Sequence, residues 1–454
     1  MKNPKQLTLF ALTWPLFVEL FLHMLMGNAD TLMLSLYSDN SVAAVGVSNQ
    51  ILALVIVMFG FIATGTAILV AQNLGAKNPL AAAEVSVISL AANFAFGLIL
   101  SITVFFSSKT LLHLMDLPAE LMEEAHSYLS IVGGLAFIQA VIMTAGAILR
   151  SYGFTKDAMY VTIAMNALNI IGNYLFIFGP FGIPVLGVKG VAISTSISRV
   201  LGLIAILILL VKRVPNKLDF LGVFRMPYQH LKNLLAIGIP SAGEQLSYNG
   251  SQMMITYFIT MMGTEALTTR VYTTNLMMFI YLFAIAISQG TQIMVGHQIG
   301  ARKYEEAYAR CLKSLRMAIL ISFLCALTFS IFSKPLLSIF TDNQNILIAG
   351  SLLIWLTIIL EPGRAFNIVI INSLRATGDV RYPVIVGILS MWGVSVTLSY
   401  ILGIKLAWGL FGVWIAFIVD EWLRGLLMLH RWKSRAWMKK GFTSSEEFAE
   451  NKAS

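Results

Sequence analysis

Charged residues are scarce in this chain of 454 residues. Asp, Glu, Lys and Arg together make up only 12% of it, whereas 57% of the residues are hydrophobic. Soluble globular proteins average about 25% charged residues, so the composition excludes an ordinary soluble domain and predicts a polytopic membrane protein. The net charge of +9 requires no nucleic-acid partner, because basic residues set the topology of membrane proteins.

Cysteine is nearly absent, and so are the common cofactor motifs. Cys311 and Cys325 lie in one predicted helix, about 21 Å apart at 1.5 Å per residue, which excludes a disulfide between them. The dipeptide Gly-Lys does not occur, which excludes a P-loop for ATP. No H-E-x-x-H or paired C-x-x-C motif suggests zinc. We therefore expect no cofactor, no metal site and no enzymatic activity.

Long apolar runs account for most of the sequence. A helix spans a bilayer with about 20 predominantly apolar residues, and a window of about 19 residues finds twelve such segments. They lie near residues 8–36, 42–74, 82–108, 125–149, 157–181, 185–211, 233–262, 266–299, 308–333, 343–374, 380–404 and 406–430. The predicted fold class is an all-α polytopic membrane protein with twelve transmembrane helices.

Lysine and arginine are distributed unequally between the two sides of this predicted bundle. The loops on one side carry only Lys109, Lys189, Arg270, Lys334 and Lys405. Three arginines lie inside predicted helices. All the remaining lysines and arginines lie in the termini and in the loops of the opposite side. Cytoplasmic loops are enriched in lysine and arginine. We therefore expect an integral protein of the cell (inner, cytoplasmic) membrane with both termini in the cytoplasm.

The chain contains an internal repeat with an offset of 225 residues. The segment GTAILVAQNLGAKN (65–78) matches GTQIMVGHQIGARK (290–303). The same offset relates Pro15 to Pro240, Glu19 to Glu244 and LRSYG (149–153) to LRATG (374–378). Each repeat holds six predicted spans, so the two halves have parallel topology, as in transporters that alternate access to a central site.

The repeat predicts two pseudo-symmetric six-helix lobes around a central cleft. The predicted domains are an N-terminal lobe (1–212), a cytoplasmic linker between the lobes (213–232), a C-terminal lobe (233–430) and a cytoplasmic tail (431–454). The linker is polar and contains two prolines, which favours it as the boundary.

Polar residues form a stripe along the first predicted helix. One face of this helix carries Glu19, His23, Met26, Gly27 and Asp30. Their spacing of i, i+4, i+7, i+8 and i+11 is that of a single helical face. A charged side chain in the membrane interior costs at least a few kcal/mol and by default marks an ion or substrate path. The second repeat has Ile255 in place of Asp30, so this carboxyl group is not duplicated, as a scaffold residue would be. Ionised, it attracts a cation; protonated, it donates a hydrogen bond instead.

Candidate partners for Asp30 are polar residues on the fifth and sixth predicted helices. Asn169 and Asn173 are four residues apart and share a helical face, and Thr195 lies on the following helix. Asparagine and threonine also join membrane helices by hydrogen bonds without any transport role, and the spacing leaves both interpretations open.

Several segments resemble the multidrug and toxic compound extrusion (MATE) family of twelve-helix cation antiporters. The resemblance covers roughly residues 8–430 and is carried by Pro15, NADTLMLSL (28–36), AAVGVSNQ (43–50), VAQNLGAKN (70–78) and LRSYGFTKD (149–157). It implies two six-helix lobes around a cleft and export of small amphipathic cations against inward proton or sodium flow. The expected partners are thus small molecules and membrane lipid, and we expect the chain to act as a monomer.

The resemblance also implies roles for individual residues. Asp30 occupies the position of the helix 1 aspartate of the proton-coupled, DinF-like branch, and Asn169, Asn173 and Thr195 fall where that branch places its hydrogen-bonding partners. Asn173 stands where some members have a second aspartate, which leaves Asp30 as the carboxylate of this proton-coupling site. In the sodium-linked, NorM-like branch the site uses acids of the second lobe, and Arg364 occupies its key helix 10 position.

A second set of polar residues is expected to line the substrate cleft. The candidates are Glu19, His23, Met26, Glu244, Tyr248, Gln252, Asn275, Glu361 and Arg364. Two pairs in helices are also spaced for ion pairing within one helix, namely Glu361 with Arg364 and Asp420 with Arg424.

The residues thus favour a proton-coupled exporter of organic cations that works by alternating access. The alternatives are a sodium-coupled exporter that uses acids of the second lobe, and a flippase for a lipid-linked substrate. A polyanionic substrate would require a basic cavity, and acidic residues outnumber basic ones in the predicted lobe interiors.

Overall fold

The computed structural model describes residues 8–216 and 218–442, except for the side chains of Asn28, Phe181 and Phe224. The predictions for residues 1–7, for Lys217 in the linker and for tail residues 443–454 lie outside this part of the chain. The helices are α1 (Leu9–Ser35), α2 (Asp39–Gly75), α3 (Pro79–Leu114), α4 (Ala119–Tyr128), α5 (Ala136–Ser151), α6 (Thr155–Phe178), α7 (Gly187–Arg213), α8 (Tyr228–Thr260), α9 (Thr264–Gly300), α10 (Tyr304–Ile331), α11 (Ser333–Ser338), α12 (Gln344–Ala376), α13 (Arg381–Ser390) and α14 (Gly409–Lys433).

Shorter helical pieces complete the chain. π-helical turns follow α4 and α13, at Leu129–Gly133, Met391–Val396 and Ser399–Lys405. Among the residues that the structure describes, three 3₁₀ turns are formed by Pro180–Gly182, Val223–Arg225 and Ala436–Lys439.

Twelve long helical segments agree with the twelve predicted spans. Within the described residues, nine are long and apolar enough to cross a membrane, and the pair Ala119–Gly133 and Ala136–Ser151, bent by 42°, makes a tenth. The other two are α8 and α14, which are 33 and 25 residues long but carry more polar groups. Helices are the expected solution, because a backbone in lipid must satisfy its own hydrogen bonds.

The chain divides into two compact units, each with its own core. The first unit comprises Val18–Leu74 and Asn78–Gly238, and the second comprises the described parts of Met1–Phe17 and Ile239–Ser454 together with Gly75–Lys77. The core of the first unit is a cluster of apolar side chains from α1 to α7 that includes Phe59, Leu129 and Val191. The predicted boundaries of the lobes and the linker stay a prediction.

The second unit holds the two cysteines and the docked C-terminal segment. Cys311 and Cys325 both lie in α10 and both are free thiols, as predicted. After α14 the chain folds back, and Trp437 stacks on Trp432 with ring centroids 4.4 Å apart. Arg435 forms an ion pair with Glu305 at the start of α10, so this segment is held against the second unit by both apolar and charged contacts.

Candidate functional site

A chain of hydrogen bonds crosses three helices of the first unit. Asn173 Nδ2 on α6 donates to Asp30 Oδ1 on α1 over 2.5 Å. The same nitrogen lies 3.4 Å from Asn169 Oδ1, one turn away on α6. Asn169 Nδ2 then donates to Thr195 Oγ1 on α7 over 3.0 Å. The structure thus brings together all four residues predicted for proton coupling.

These four hydrogen-bonded residues are almost completely shielded from solvent. The exposed fractions are 6% for Asp30, 0% for Asn169 and Asn173, and 3% for Thr195. Buried polar groups are stable only when hydrogen-bonded, and the four-residue spacing of the two asparagines places both amides on the face of α6 that meets α1 and α7. Asn173 Oδ1 is an exception, because no described group donates to it.

Two further residues reinforce the contacts of α6, and the prediction did not include them. Asn166 Nδ2 donates to the backbone oxygen of Leu22 on α1 over 3.1 Å, and Ser194 Oγ donates to the backbone oxygen of Asn169 over 2.9 Å. Asn166 lies three residues before Asn169, on the same helical face. The sequence signal that pointed to Asn169 could therefore have been extended to it.

Two groups from other helices lie within electrostatic reach of Asp30. The charge of Arg199 on α7 acts on the Asp30 carboxyl group, and the charge of Asp30 in turn acts on the Tyr128 hydroxyl group on α4. Arg199 lies four residues after Thr195 and so shares its helical face. Tyr128 had no sequence signal, because its proximity to α1 depends on how the helices pack.

The other members of the α1 stripe lie one to three turns from Asp30. Arg150 Nη1 on α5 donates to Glu19 Oε1 over 2.9 Å, and both side chains are mostly buried. His23 interacts electrostatically with Glu19, Arg150 and Arg199. Met26 is partly buried. The predicted contribution of these three residues to a substrate cleft stays a prediction.

The second unit contains an ion pair equivalent to the pair of Glu19 and Arg150. Arg375 Nη2 on α12 donates to Glu244 Oε2 on α8. Both residues follow their counterparts in the first unit by the repeat offset of 225. The two glutamates therefore occupy the same structural role in both repeats.

Charged side chains of α12 and α14 form a buried network in the second unit. Arg364 Nη1 donates to Glu361 Oε1 over 2.8 Å, which confirms the pairing predicted from their spacing. Arg424 bridges Asp420 and Glu421, each over 2.8 Å, which confirms its predicted pairing with Asp420. Arg364 also approaches Glu421 to 3.8 Å, so five charged groups share one network.

Neutral groups complete the hydrogen bonds of this network. Ser390 Oγ donates to Asp420 Oδ1 over 2.5 Å, and Asn367 Nδ2 donates to Glu421 Oε2 over 2.8 Å. The Arg364 guanidinium lies over the ring of Tyr281, 5.3 Å from its centroid. Glu361 Oε2, by contrast, is buried and has no hydrogen-bond partner among the described residues.

The remaining predicted cleft residues of the second unit are Tyr248, Gln252 and Asn275. Gln252 Oε1 accepts a hydrogen bond from Arg270 Nη2 over 3.0 Å. Tyr248 lies within electrostatic reach of Arg270 and of Arg364. The side chain of Asn275 is exposed on α9.

Comparison with known proteins reproduces the internal repeat. A family model described as MatE matches residues 15–175 and again residues 240–401, so its two matches begin 225 residues apart. A Bacillus subtilis (strain 168) protein named "Uncharacterized transporter YisQ" is 58% identical over 443 residues, 97% of each chain. A Thermotoga maritima protein named "Probable multidrug resistance protein NorM" is 27% identical over 444 residues, 97% of this chain and 95% of that protein.

Solved structures share the fold. One described as an outward-facing conformation of a multidrug resistance MATE family transporter has a TM-score of 0.87 at 23% identity, and the match covers 95% of this chain and 96% of that chain. Another, of MATE in the bent conformation, has a TM-score of 0.88 at 22% identity, covering 96% of this chain and 97% of that chain. At these identities the likeness establishes the fold. Together with the family match, it shows that this chain is an integral membrane transporter, not an enzyme, and belongs to the MATE family.

Proposed function

We propose that this transporter exports small amphipathic organic cations in exchange for protons, and that Asp30 is the group that binds the proton. The observation that carries the proposal is the buried chain of hydrogen bonds from Asp30 to Thr195. A carboxyl group inside a membrane helix marks an ion path by default, and here the groups hydrogen-bonded in series to it are neutral amides and a hydroxyl group, which can follow a change in its charge.

Asn173 can serve both protonation states of Asp30. An ionised carboxylate only accepts hydrogen bonds, whereas the protonated acid also donates one. The Asn173 amide nitrogen donates to Asp30, and its oxygen has no described donor. A half-turn of the amide would present this oxygen to a protonated Asp30. The Asn173 amide therefore gives each protonation state of Asp30 a hydrogen-bond partner without a movement of α1 or α6.

Exchange follows because a proton and a cation compete for one negative charge. A cationic substrate is attracted while Asp30 is ionised, and proton uptake removes that attraction. Binding of one ligand thus favours release of the other, which is the linkage that an antiporter requires. Relatives are named multidrug resistance proteins. These names support export as the direction of transport and drug-like small molecules as the substrates.

The arginines of the second unit count against the alternatives. Each acid of the α12–α14 network accepts a hydrogen bond from, or lies beside, Arg364 or Arg424, so a sodium ion bound there would be repelled by a neighbouring guanidinium charge. The same pairing neutralises the two arginines that a polyanionic lipid-linked substrate would need. The DinF-like assignment, the monomeric state and the cytoplasmic location of both termini are part of this proposal and rest on the sequence.

The test uses purified protein in proteoliposomes, with a fluorescent organic cation and an imposed pH gradient, with and without sodium. Asp30→Asn keeps the size of the side chain and its hydrogen bonding but removes its titration. We expect the pH gradient alone to drive the wild type and the variant to fold but stall. The control is Asp157→Asn, which removes an acid paired with Arg213 at the start of α6 and should leave transport unchanged. Transport driven only by sodium, or coupling retained in Asp30→Asn, would overturn the proposal.

A further inference from the structure

Arg199 differs from four other arginines of the described helices. Arg150, Arg364, Arg375 and Arg424 each have a carboxylate oxygen within ion-pair distance. In the described part of the chain, no carboxylate oxygen lies within that distance of the Arg199 guanidinium, and no hydrogen-bond acceptor satisfies its N–H groups. A charged group in a membrane interior normally pairs or faces a hydrated cavity, so this guanidinium is available to a ligand.

Arg199 lies near the hydrogen bonds that run from Asp30 to Thr195. It follows Thr195 by four residues, one turn of α7, and its charge acts on Asp30 and His23 of α1. Asp30 and Arg199 together are neutral while Asp30 is ionised and carry one positive charge once it is protonated. A substrate with only a positive charge would therefore meet a fixed positive charge beside its binding carboxylate.

Gly27 on α1 borders open space. A Cβ atom added to Gly27, which lies between His23 and Asp30 on the same helical face, would have no atom within 4 Å. Arg199 is partly exposed, and Asp30 retains an exposed fraction of 6%. A ligand beside Gly27 could thus reach both charged groups.

We propose that the transported compounds carry an anionic group as well as a cationic one, and that Arg199 binds the anionic group and so determines specificity. This inference rests on the proposed function, since the cationic group is the one that competes with the proton for Asp30. The planar guanidinium suits a carboxylate or phosphate group, which it can bind through two parallel hydrogen bonds. The pair of Asp30 and Arg199 then matches the two charges of a zwitterion.

The test compares two dyes that differ in one charge. A rhodamine with a free carboxyl group is zwitterionic, whereas its methyl ester is a cation of nearly the same shape. Fluorescence polarisation gives the binding constant of each dye to the full-length protein in detergent, without any gradient. We expect the wild type to bind the free acid more tightly and Arg199→Gln to lose about tenfold or more of this preference, the size of a lost charged hydrogen bond.

Two further variants separate recognition from folding. Arg199→Lys keeps the positive charge without the bidentate geometry and should retain part of the preference for the acid. Arg213→Gln removes an arginine from the same helix, where it pairs with Asp157, and should leave the ratio of the two binding constants unchanged. If Arg199→Gln does not fold, Arg199→Lys alone tests the proposal. An unchanged ratio of the two dye binding constants in Arg199→Lys would contradict bidentate binding.

Binding and transport outcomes are independent. A wild type that prefers the ester, or a ratio unaltered by Arg199→Gln, would overturn the role of Arg199 even if Asp30→Asn stalls transport. Conversely, if Asp30→Asn keeps its proton coupling while Arg199→Gln loses the preference for the acid, the proposed function fails and the anion site stands.

Discussion

Arg150 and Glu19, which lie 131 residues apart in the chain, form an ion pair of 2.9 Å between α5 and α1. Arg375 and Glu244 are separated by the same 131 residues and form the equivalent contact between α12 and α8. Because both repeats contain the pair, it holds the first helix of each repeat to the helix that carries the arginine. Asp30 lacks such a counterpart, which sets it apart from this duplicated scaffold.

We expect Glu19→Gln to destabilise the first unit by leaving Arg150 without its counter-charge. Removing one member of a mostly buried pair costs more than the pair contributes, because the other charge stays desolvated. The double variant Glu19→Gln with Arg150→Met should recover much of the loss, with a coupling energy of about 1–3 kcal/mol. Thermal unfolding of the purified protein measures all four states of the cycle.

The exposed pair of Lys303 and Glu306 is the control for this cycle. Both side chains are more than half exposed, and solvent-exposed pairs contribute about 0–1 kcal/mol. If the two cycles gave equal coupling energies, the buried pair would have no special structural role.

Asn173→Ala should impair proton-coupled transport more than it impairs folding. The substitution removes the donor that contacts the Asp30 carboxylate, and a hydrogen bond to a charged group is worth about 1.5–3 kcal/mol, or roughly a tenfold to hundredfold change in rate. Initial rates of cation export under an imposed pH gradient, normalised to folded protein, measure the effect.

Asn93 provides a matched structural control for Asn173. It is a buried asparagine of the same unit, and its amide donates to Thr144 Oγ1 over 2.7 Å and to the backbone oxygen of Ala140 over 3.0 Å. Asn93→Ala should lower the unfolding temperature and leave the normalised rate nearly unchanged. Equal losses of rate in both variants would argue against a special role for Asn173.

Arg424→Gln should be strongly destabilising. Its guanidinium bridges Asp420 and Glu421, and the Arg424 and Asp420 side chains are only 6% and 5% exposed. Breaking a buried ion pair costs about 3–5 kcal/mol, whereas Arg213→Gln, at a pair whose arginine is 46% exposed, should cost about 1 kcal/mol or less. Comparable unfolding temperatures for the two variants would contradict this ranking.

Gly378→Ala should loosen the C-terminal segment. Gly378 has φ +92°, and an added Cβ would lie 2.1 Å from the backbone oxygen of Lys440, so the turn and the docked residues 434–442 cannot both keep their positions. Limited trypsin digestion should then cleave after Arg435 at least several-fold faster. Gly393→Ala, where an added Cβ meets nothing within 4 Å, is the control, and equally slow cleavage in both variants would contradict this expectation.

Local pairs were predictable from spacing, whereas contacts between helices were not. The ion pair of Glu361 and Arg364 follows from residues three apart on one helix, and the shared face of Asn169 and Asn173 follows in the same way. The bond from Asn166 to α1 and the proximity of Tyr128 to Asp30 depend on the rotation and depth of separate helices. The periodicity of residues along one helix carries no information about the rotation or the depth of that helix relative to its neighbours.

The sequence by itself determined the twelve spans, the repeat and the unusual position of Asp30. Apolar length decides whether a segment crosses the membrane, and lipid leaves the helix as the way to satisfy its backbone. The tertiary structure alone decided which charged groups pair. Glu19 and Glu244 form ion pairs with arginines of other helices, whereas Arg199, within electrostatic reach of Asp30, has no ion-pair partner in the described part of the chain. Charges pair over a few ångströms, and only helix packing sets distances on that scale.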